Sequence, residues 1–250
     1  MPPKISVVLP VRNGENFIRQ ALDSVLSQDF QEFEILVGIN PSTDSTLAIT
    51  KSVLGSKHPG ILIFKDEVSM PQNFNRTALL ARGEYIKFLC HDDVLHFDSL
   101  RLLLSEFQQN SQIVLASSYE SFLNEEKNSR AIESFGSARY VGSIRSFYRF
   151  CKYGNWLGGP SGVMVNRKAF GVAPFDETLS CAFDMDCWIN MSRLGGIGIV
   201  PKELYSSRIH PMQGTQFCRE GGFSEDLSRM KIKYKSSPDF ALRGVYRLFG

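Results

Sequence analysis

The chain has 250 residues, 43% of them hydrophobic and 22% charged, enough to bury a full core as one large domain or two small ones. Its 28 basic and 26 acidic side chains leave a formal net charge of +2, so no whole-molecule field marks a nucleic-acid polymer as partner. No stretch reaches the roughly 20 consecutive apolar residues of a spanning helix. The opening Met1-Pro2-Pro3-Lys4 lacks the charged-then-apolar pattern of a signal peptide. Cys90, Cys151, Cys181, Cys187 and Cys218 form no C-x-x-C pair. Their odd number argues against a disulfide framework and for a reducing, cytoplasmic setting.

Ile5 to Leu9 is an apolar, β-branched run closed by Pro10, which reads as a buried strand. Phe17, Ile18, Ala21, Leu22, Val25 and Leu26 then recur at helical spacing. A strand from Phe33 to Ile39, a polar turn from Asn40 to Ser45, a helix from Thr46 to about Leu54 and a strand from Ile61 to Phe64 follow. Asn73 to Ala81 reads as a helix capped by Gly83, and Tyr85 to Leu89 as a fourth strand. This alternation predicts an α/β fold with a mostly parallel central sheet and helices on both faces.

Beyond it, a helix is predicted over Asp98 to Gln109 and a strand over Ile113 to Ala116. The polar segment from Tyr119 to Gly142 reads as a long excursion or lid. A glycine-rich loop from Asn155 to Gly162 leads into a strand from Val163 to Val165. A helix from Phe183 to Leu194 and strands at Ile197 to Val200 and Leu204 to His210 complete the series.

Ligands of such sheets sit at the carboxyl ends of the strands, which selects Pro10 to Glu15, Asn40 to Asp44, Asp66 to Asn75, and Cys90 to Asp93. Asp92 and Asp93 are adjacent acids at a strand end. Two carboxylates so placed either cap an ordinary turn or are compensated by a divalent cation. The short polar side chains from Asn40 to Asp44 suit a base or ribose as well as a helix cap. Asp184 lies four residues from Trp188 on one helix face, a carboxylate beside an aromatic side chain that suits a general base. His210 leaves the last strand before Pro211, within reach of the same cleft as a phosphate contact or metal ligand.

Taken in order, four segments resemble the family-2 inverting glycosyltransferases of GT-A fold. Ser6-Val7-Val8-Leu9-Pro10-Val11-Arg12-Asn13-Gly14-Glu15 is similar to that family's first strand and nucleotide loop. Phe33 to Val37 with Ser42-Thr43-Asp44-Ser45-Thr46 resembles its second strand and S-T-D-x-T turn. Ala81 to Asp93 resembles the A-x-G-E-Y-I-x-F-L stretch that ends in the D-x-D motif. Phe183-Asp184-Met185-Asp186-Cys187-Trp188 resembles the helix of the catalytic base.

The resemblance spans Lys4 to His210 and implies a Rossmann-like sheet with a smaller acceptor-side subregion. Residues 1–116 would form the nucleotide-sugar-binding half, 117–215 the acceptor and catalytic-base half, and 216–250 a basic and apolar tail. It implies that Pro10, Val11, Arg12 and Asn40 meet the nucleotide of a nucleoside-diphosphate-sugar donor and Asp92 its ribose or sugar. Asp93 would hold Mn2+ or Mg2+, with His210, from its place after the last strand, as a candidate second ligand, and Asp184 would be the catalytic base. Polysaccharide biosynthesis with a glycan or lipid-linked sugar as acceptor is the implied setting. Cys90 stands where the first Asp of D-x-D is usual, Asn40 where a base-reading Asp is usual, and Arg12 where an aromatic is usual. The Q-x-x-R-W signature of processive enzymes is absent, which implies single additions.

Two other functions compete with this one: a catalytically weak nucleotide-sugar-binding module, and a sugar nucleotidyltransferase. The second would carry a glycine-rich phosphate loop near the N-terminus, and Pro10 to Glu15 does not supply it. The tail from Arg229 to Arg247 mixes Lys231, Lys233, Lys235 and Arg243 with apolar residues. That mixture suits either peripheral contact with the inner face of a membrane or packing on the domain.

Overall fold

The computed structural model describes residues 2–123, 139–211, 213–214 and 218–236. In its first half β1 (Ile5–Val11), β2 (Phe33–Ile39), β3 (Ile61–Ile63) and β4 (Tyr85–Phe88) alternate with α1 (Ile18–Leu26), α2 (Thr46–Leu54) and α3 (Met70–Ala78). The second half comprises β5 (Val94–Leu95), α4 (Ser99–Gln109), β6 (Ile113–Leu123), β7 (Tyr140–Val141), α5 (Ser143–Tyr153), β8 (Val163–Asn166), α6 (Arg167–Val172), α7 (Phe183–Ser192), β9 (Gly196–Arg208) and α8 (Phe223–Lys235).

One sheet contains these nine strands in the order β3-β2-β1-β4-β8-β6-β9-β5, with β7 paired to β9. The run β3-β2-β1-β4 is parallel, as the alternation of strand and helix requires. Past β4 the sheet is mixed, because β8 runs antiparallel to both β4 and β6.

Strand alternation divides the core into two layers. Ile5, Val7 and Leu9 face the layer that takes Ile18, Leu22 and Val25 of α1 and Leu100, Leu103 and Leu104 of α4. Val8 and Phe88 face the other, which holds Phe74, Trp156, Trp188 and Tyr234. In that layer Phe175 packs edge-on to Phe183 at 5.2 Å and to Trp188 at 5.7 Å, so α7 is anchored by its aromatic side chains. The predicted aromatic side chain next to Asp184 is therefore a core residue: Trp188 is 0% exposed.

Several boundaries differ from the sequence expectation. Helix α3 starts at Met70 rather than Asn73, because Ser69 and Gln72 form a reciprocal capping box around Met70 and Pro71. Strand β6 runs on to Leu123, so Tyr119 to Leu123 are not part of an excursion; residues 124–138 of that predicted segment lie outside the described residues. The two predicted C-terminal strands are one strand, β9. Helices α5 and α6 had no counterpart in the sequence reading.

One expectation is overturned outright. Cys181 and Cys218 form a disulfide, their Cα atoms 5.5 Å apart, although the odd number of cysteines argued against disulfide pairing. The 37-residue separation hid the pairing, because only the fold brings the start of α7 beside the approach to α8. In the tail, Met230 and Tyr234 are fully buried on the domain, while Ile232 is 71% exposed. Among the described residues no helix is long and apolar enough to cross a membrane.

Candidate active site

The carboxyl ends of β1 and β2 carry two loops stitched together by short polar side chains. Asn13 receives a hydrogen bond from the Thr43 N–H (2.9 Å), Asp44 from the Glu15 N–H (3.0 Å), and Glu15 from the Ser45 N–H (2.9 Å). Burial works against the Asp44 carboxylate, but its bonds from Thr46 and Glu15 outweigh that and hold it below its ordinary range. Gly14 is required here: a Cβ would lie 2.6 Å from the His91 ring.

Pro10 and Val11 end β1 and are buried, whereas Arg12 is exposed at the cleft mouth and pairs with Glu67 at 2.7 Å. Asn40 is 4% exposed and both ends of its amide are engaged. Its Nδ2 donates to the Val68 carbonyl at 2.9 Å, and its Oδ1 accepts from Arg76. The Arg76 guanidinium lies 3.7 Å over the Phe64 ring and also reaches Asn73 and the Asp66 carbonyl. Sequence reasoning missed Arg76, because its role exists only once α3 lies beside the β2 end.

At the β4 end Asp92 and Asp93 part company. The Asp92 carboxylate meets His210 Nε2 at 3.0 Å. The His210 ring packs on Phe17 (4.6 Å), whose other contact is the Arg208 guanidinium at 4.8 Å. Asp93 is 8% exposed and accepts from the Arg208 N–H (3.3 Å); the Ser161 hydroxyl nearby favours its ionised form. Burial, with the Asp92 charge behind it, pushes Asp93 up to about 8.

Donor atoms of Cys90, Asp92 and Asp93 lie within 4.8 Å of one another. Two carboxylates, one of them disfavoured as an anion by its burial, and a thiol form a donor set that fits a divalent cation. Beneath them Lys87 is 0% exposed, its ammonium donating to the carbonyls of Phe88 (2.9 Å) and Ser161. Burial lowers it to about 7.

Asp184, the second residue of α7, is 9% exposed. It accepts from the Met185 N–H (2.6 Å) and from Asn155 Nδ2 (3.0 Å), yet burial outweighs both bonds and raises it to about 7. That value suits a base at neutral pH. The glycine-rich loop ties the two acidic centres together. At one end Asn155 donates to Asp184 and the Gly158 carbonyl; at the other the Ser161 hydroxyl accepts from the Cys90 N–H (2.9 Å), at the β4 end that carries the acid pair. Gly158 sits at φ +80°, and its carbonyl accepts from Trp188 Nε1.

The fold matches known proteins. The TarS fragment 1–349 of S. aureus in complex with UDP-GlcNAc superposes with a TM-score of 0.78 at 18% identity, over 98% of this chain and 71% of that one. The mannosyltransferase PcManGT of Pyrobaculum calidifontis, in complex with GDP-Man and Mn2+, gives 0.67 at 13% identity over 99% and 69%. The fold is therefore GT-A. In sequence, a glycosyltransferase of Rickettsia prowazekii is 26% identical over 215 residues, 85% of this chain and 66% of that protein. Chondroitin synthase of Escherichia coli is 26% identical over 247 residues, 94% of this chain but 34% of its own length. The chain thus spans between about a third and two thirds of these curated relatives. Residues 6–171 match the profile of Glycosyl transferase family 2, and the chain belongs to that family.

Proposed function

We propose that the chain is an inverting, metal-dependent transferase that moves a sugar from a nucleoside diphosphate to a hydroxyl of a glycan or lipid-linked sugar, in surface polysaccharide assembly. The observation that carries this reading is the loop 155–161, which ties a buried carboxylate poised near neutrality, Asp184, to the acid pair at the β4 end. The reading is supported by the nucleotide sugars and Mn2+ in the named complexes and by the match to chondroitin synthase.

The geometry favours a revised division of labour at the acid pair. Asp92 and Asp93 of the gathered donor set, with His210 already in contact with Asp92, would hold Mn2+ or Mg2+, and the Arg208 N–H fixes the orientation of Asp93. An ion bound there supplies positive charge to the departing diphosphate. Asp184 takes the proton of the acceptor hydroxyl as that oxygen attacks the anomeric carbon opposite the leaving group, which inverts the anomer. Asn155 aims the Asp184 carboxylate. The nucleotide lies along 10–12, 40 and 66–68, where Arg12 offers a charged rim. The exposed Ile232 and Lys235 of α8 would be the residues through which the tail touches a membrane surface.

A thermal-shift screen of UDP, GDP, CDP and ADP with and without Mn2+ tests this function. One diphosphate should stabilise the chain, and more so with Mn2+. No response to any of them removes the donor assignment.

A further inference from the structure

Asp226 of α8 is 2% exposed, and one of its carboxylate oxygens accepts hydrogen bonds from three consecutive backbone N–H groups. These belong to Ser180 at 2.8 Å, Cys181 at 2.6 Å and Ala182 at 3.0 Å. Ala182 is the N-cap of α7, and it supplies no side-chain cap of its own. The segment that leads into the helix carrying Asp184 is therefore held by an anion from another helix, 44 to 46 residues away in sequence.

We infer that Asp226 is a positioning residue that sets the basicity of Asp184. It occupies the N–H groups leading into α7 and, by its negative charge, offsets the positive helix end that would otherwise favour ionised Asp184. A helix N-terminus carries roughly half a positive charge, felt within the first turn. Asp184 itself takes the Met185 N–H at 2.6 Å, so two carboxylates share one helix end. With Asp226 in place, Asp184 keeps its proton more readily and is the stronger base once ionised. The catalytic meaning of this rests on Asp184 being the base proposed above.

Apart from Arg229, which faces Asp226 itself, the charged groups Asp176, Asp186, Lys233 and Arg149 around α7 are engaged elsewhere. Asp186 is bound by Lys233 (2.8 Å) and the Tyr234 hydroxyl (2.6 Å), and Lys233 also pairs with Asp176 (2.7 Å). Arg229 lies 3.9 Å from the second Asp226 oxygen and donates to the Thr178 carbonyl. Arg149 of α5 sits over the Trp156 ring, and Cys187 is a buried thiol. The Cys181–Cys218 disulfide tethers the same capping segment, so its backbone stays anchored when Asp226 is replaced.

The test is an infrared titration of the protonated carboxyl band of Asp184 in the full chain. It is isolated as the difference between a protein and its Asp184→Asn variant, in wild-type, Asp226→Asn and Asp226→Glu backgrounds. Asp226→Asn should lower the Asp184 midpoint by about one pH unit, the scale of a helix-terminus effect on a partly buried charge. Asp226→Glu, which keeps the charge, should leave it within a few tenths. With a donor identified, the acid limb of the turnover profile should shift by the same amount at unchanged donor KM. An unmoved midpoint in folded Asp226→Asn, or an equal shift in Asp226→Glu, overturns the inference. Should Asp226→Asn not fold, Asp226→Ser replaces it, its hydroxyl still accepting an N–H. The midpoint is read without an acceptor: an active Asp184→Asn enzyme removes the base assignment, whereas an unmoved midpoint removes only the role of Asp226.

Discussion

Replacing Asp184 by Asn should make the protein more stable while abolishing transfer. Burial raises the Asp184 carboxyl from 3.8 to about 7 despite its bonds to Met185 and Asn155. A carboxyl whose folded value lies above its unfolded value costs stability only where the unfolded chain is ionised. The penalty is therefore absent below about pH 4, grows as pH rises and levels off above the folded value. At about 1.36 kcal/mol per unit, the ceiling is of order 4 kcal/mol at pH 8 and about 1.5 kcal/mol at pH 5. Asn has nearly the same shape, still accepts the Met185 N–H, and carries no charge to desolvate. Urea unfolding of both proteins at pH 5 and pH 8 measures the difference directly. The variant should gain stability at both pH values, with roughly 2–3 kcal/mol more at pH 8. An equal effect at the two pH values, or a loss at pH 8, would refute the claim that a buried, strained carboxylate sits here. A residue that costs stability and is retained for turnover is the expected trade at a catalytic position.

The acid pair makes a second prediction. Asp93 is pushed up to about 8, so stabilisation by Mn2+, read as a melting-temperature shift, should grow between pH 6 and pH 8.5 as that carboxylate ionises. The shift should vanish in Asp92→Ala; a shift that survives there assigns the ion to other ligands. Ser161→Ala removes the hydroxyl that serves both Asp93 and the Cys90 N–H. It should cost about 1–3 kcal/mol in urea unfolding and weaken the Mn2+ response. Reducing the Cys181–Cys218 disulfide opens a 37-residue loop and should cost roughly 3–4 kcal/mol by loop entropy. Cys218→Ser should show the same fall and no further response to reductant. Gly14→Ala would set a Cβ 2.6 Å from the His91 ring, with an expected loss of about 1–3 kcal/mol and weaker nucleotide binding in the thermal-shift screen.

The parallel half of the sheet was legible because strands buried on both faces are nearly continuous apolar runs, and Ile5–Val11 and Phe33–Ile39 are such runs, each interrupted by one polar residue, Ser6 or Glu34. Strand β6 was cut short for the opposite reason. Its second half contains Ser117, Ser118, Glu120 and Ser121, a polar pattern that reads as loop. In the fold these groups find partners across the ladder: Ser121 bonds the Tyr205 carbonyl and the Ser206 hydroxyl, and Glu120 bonds Ser207. A polar strand is stable when its neighbour is polar in register, and one strand's sequence holds no trace of that neighbour.

The same asymmetry governs the site. Asp92, Asp93, Asp184 and His210 could be selected because parallel topology sends strand ends to one edge and because carboxylates and imidazoles announce their chemistry. Asn155, Ser161 and Asp226 could not. Each acts on another residue or on backbone N–H groups that every sequence offers at every position, and each is brought to its target only by the fold. Asp226 makes the point most sharply. It lies in a basic, apolar tail whose residue types suggested a membrane, and its three partners are the N–H groups of Ser180, Cys181 and Ala182. Those groups are significant only because α7 begins there. The acids that face the cleft can be read from residue type and topology, whereas the groups that set their ionisation are chosen by backbone geometry, which residue identity does not encode.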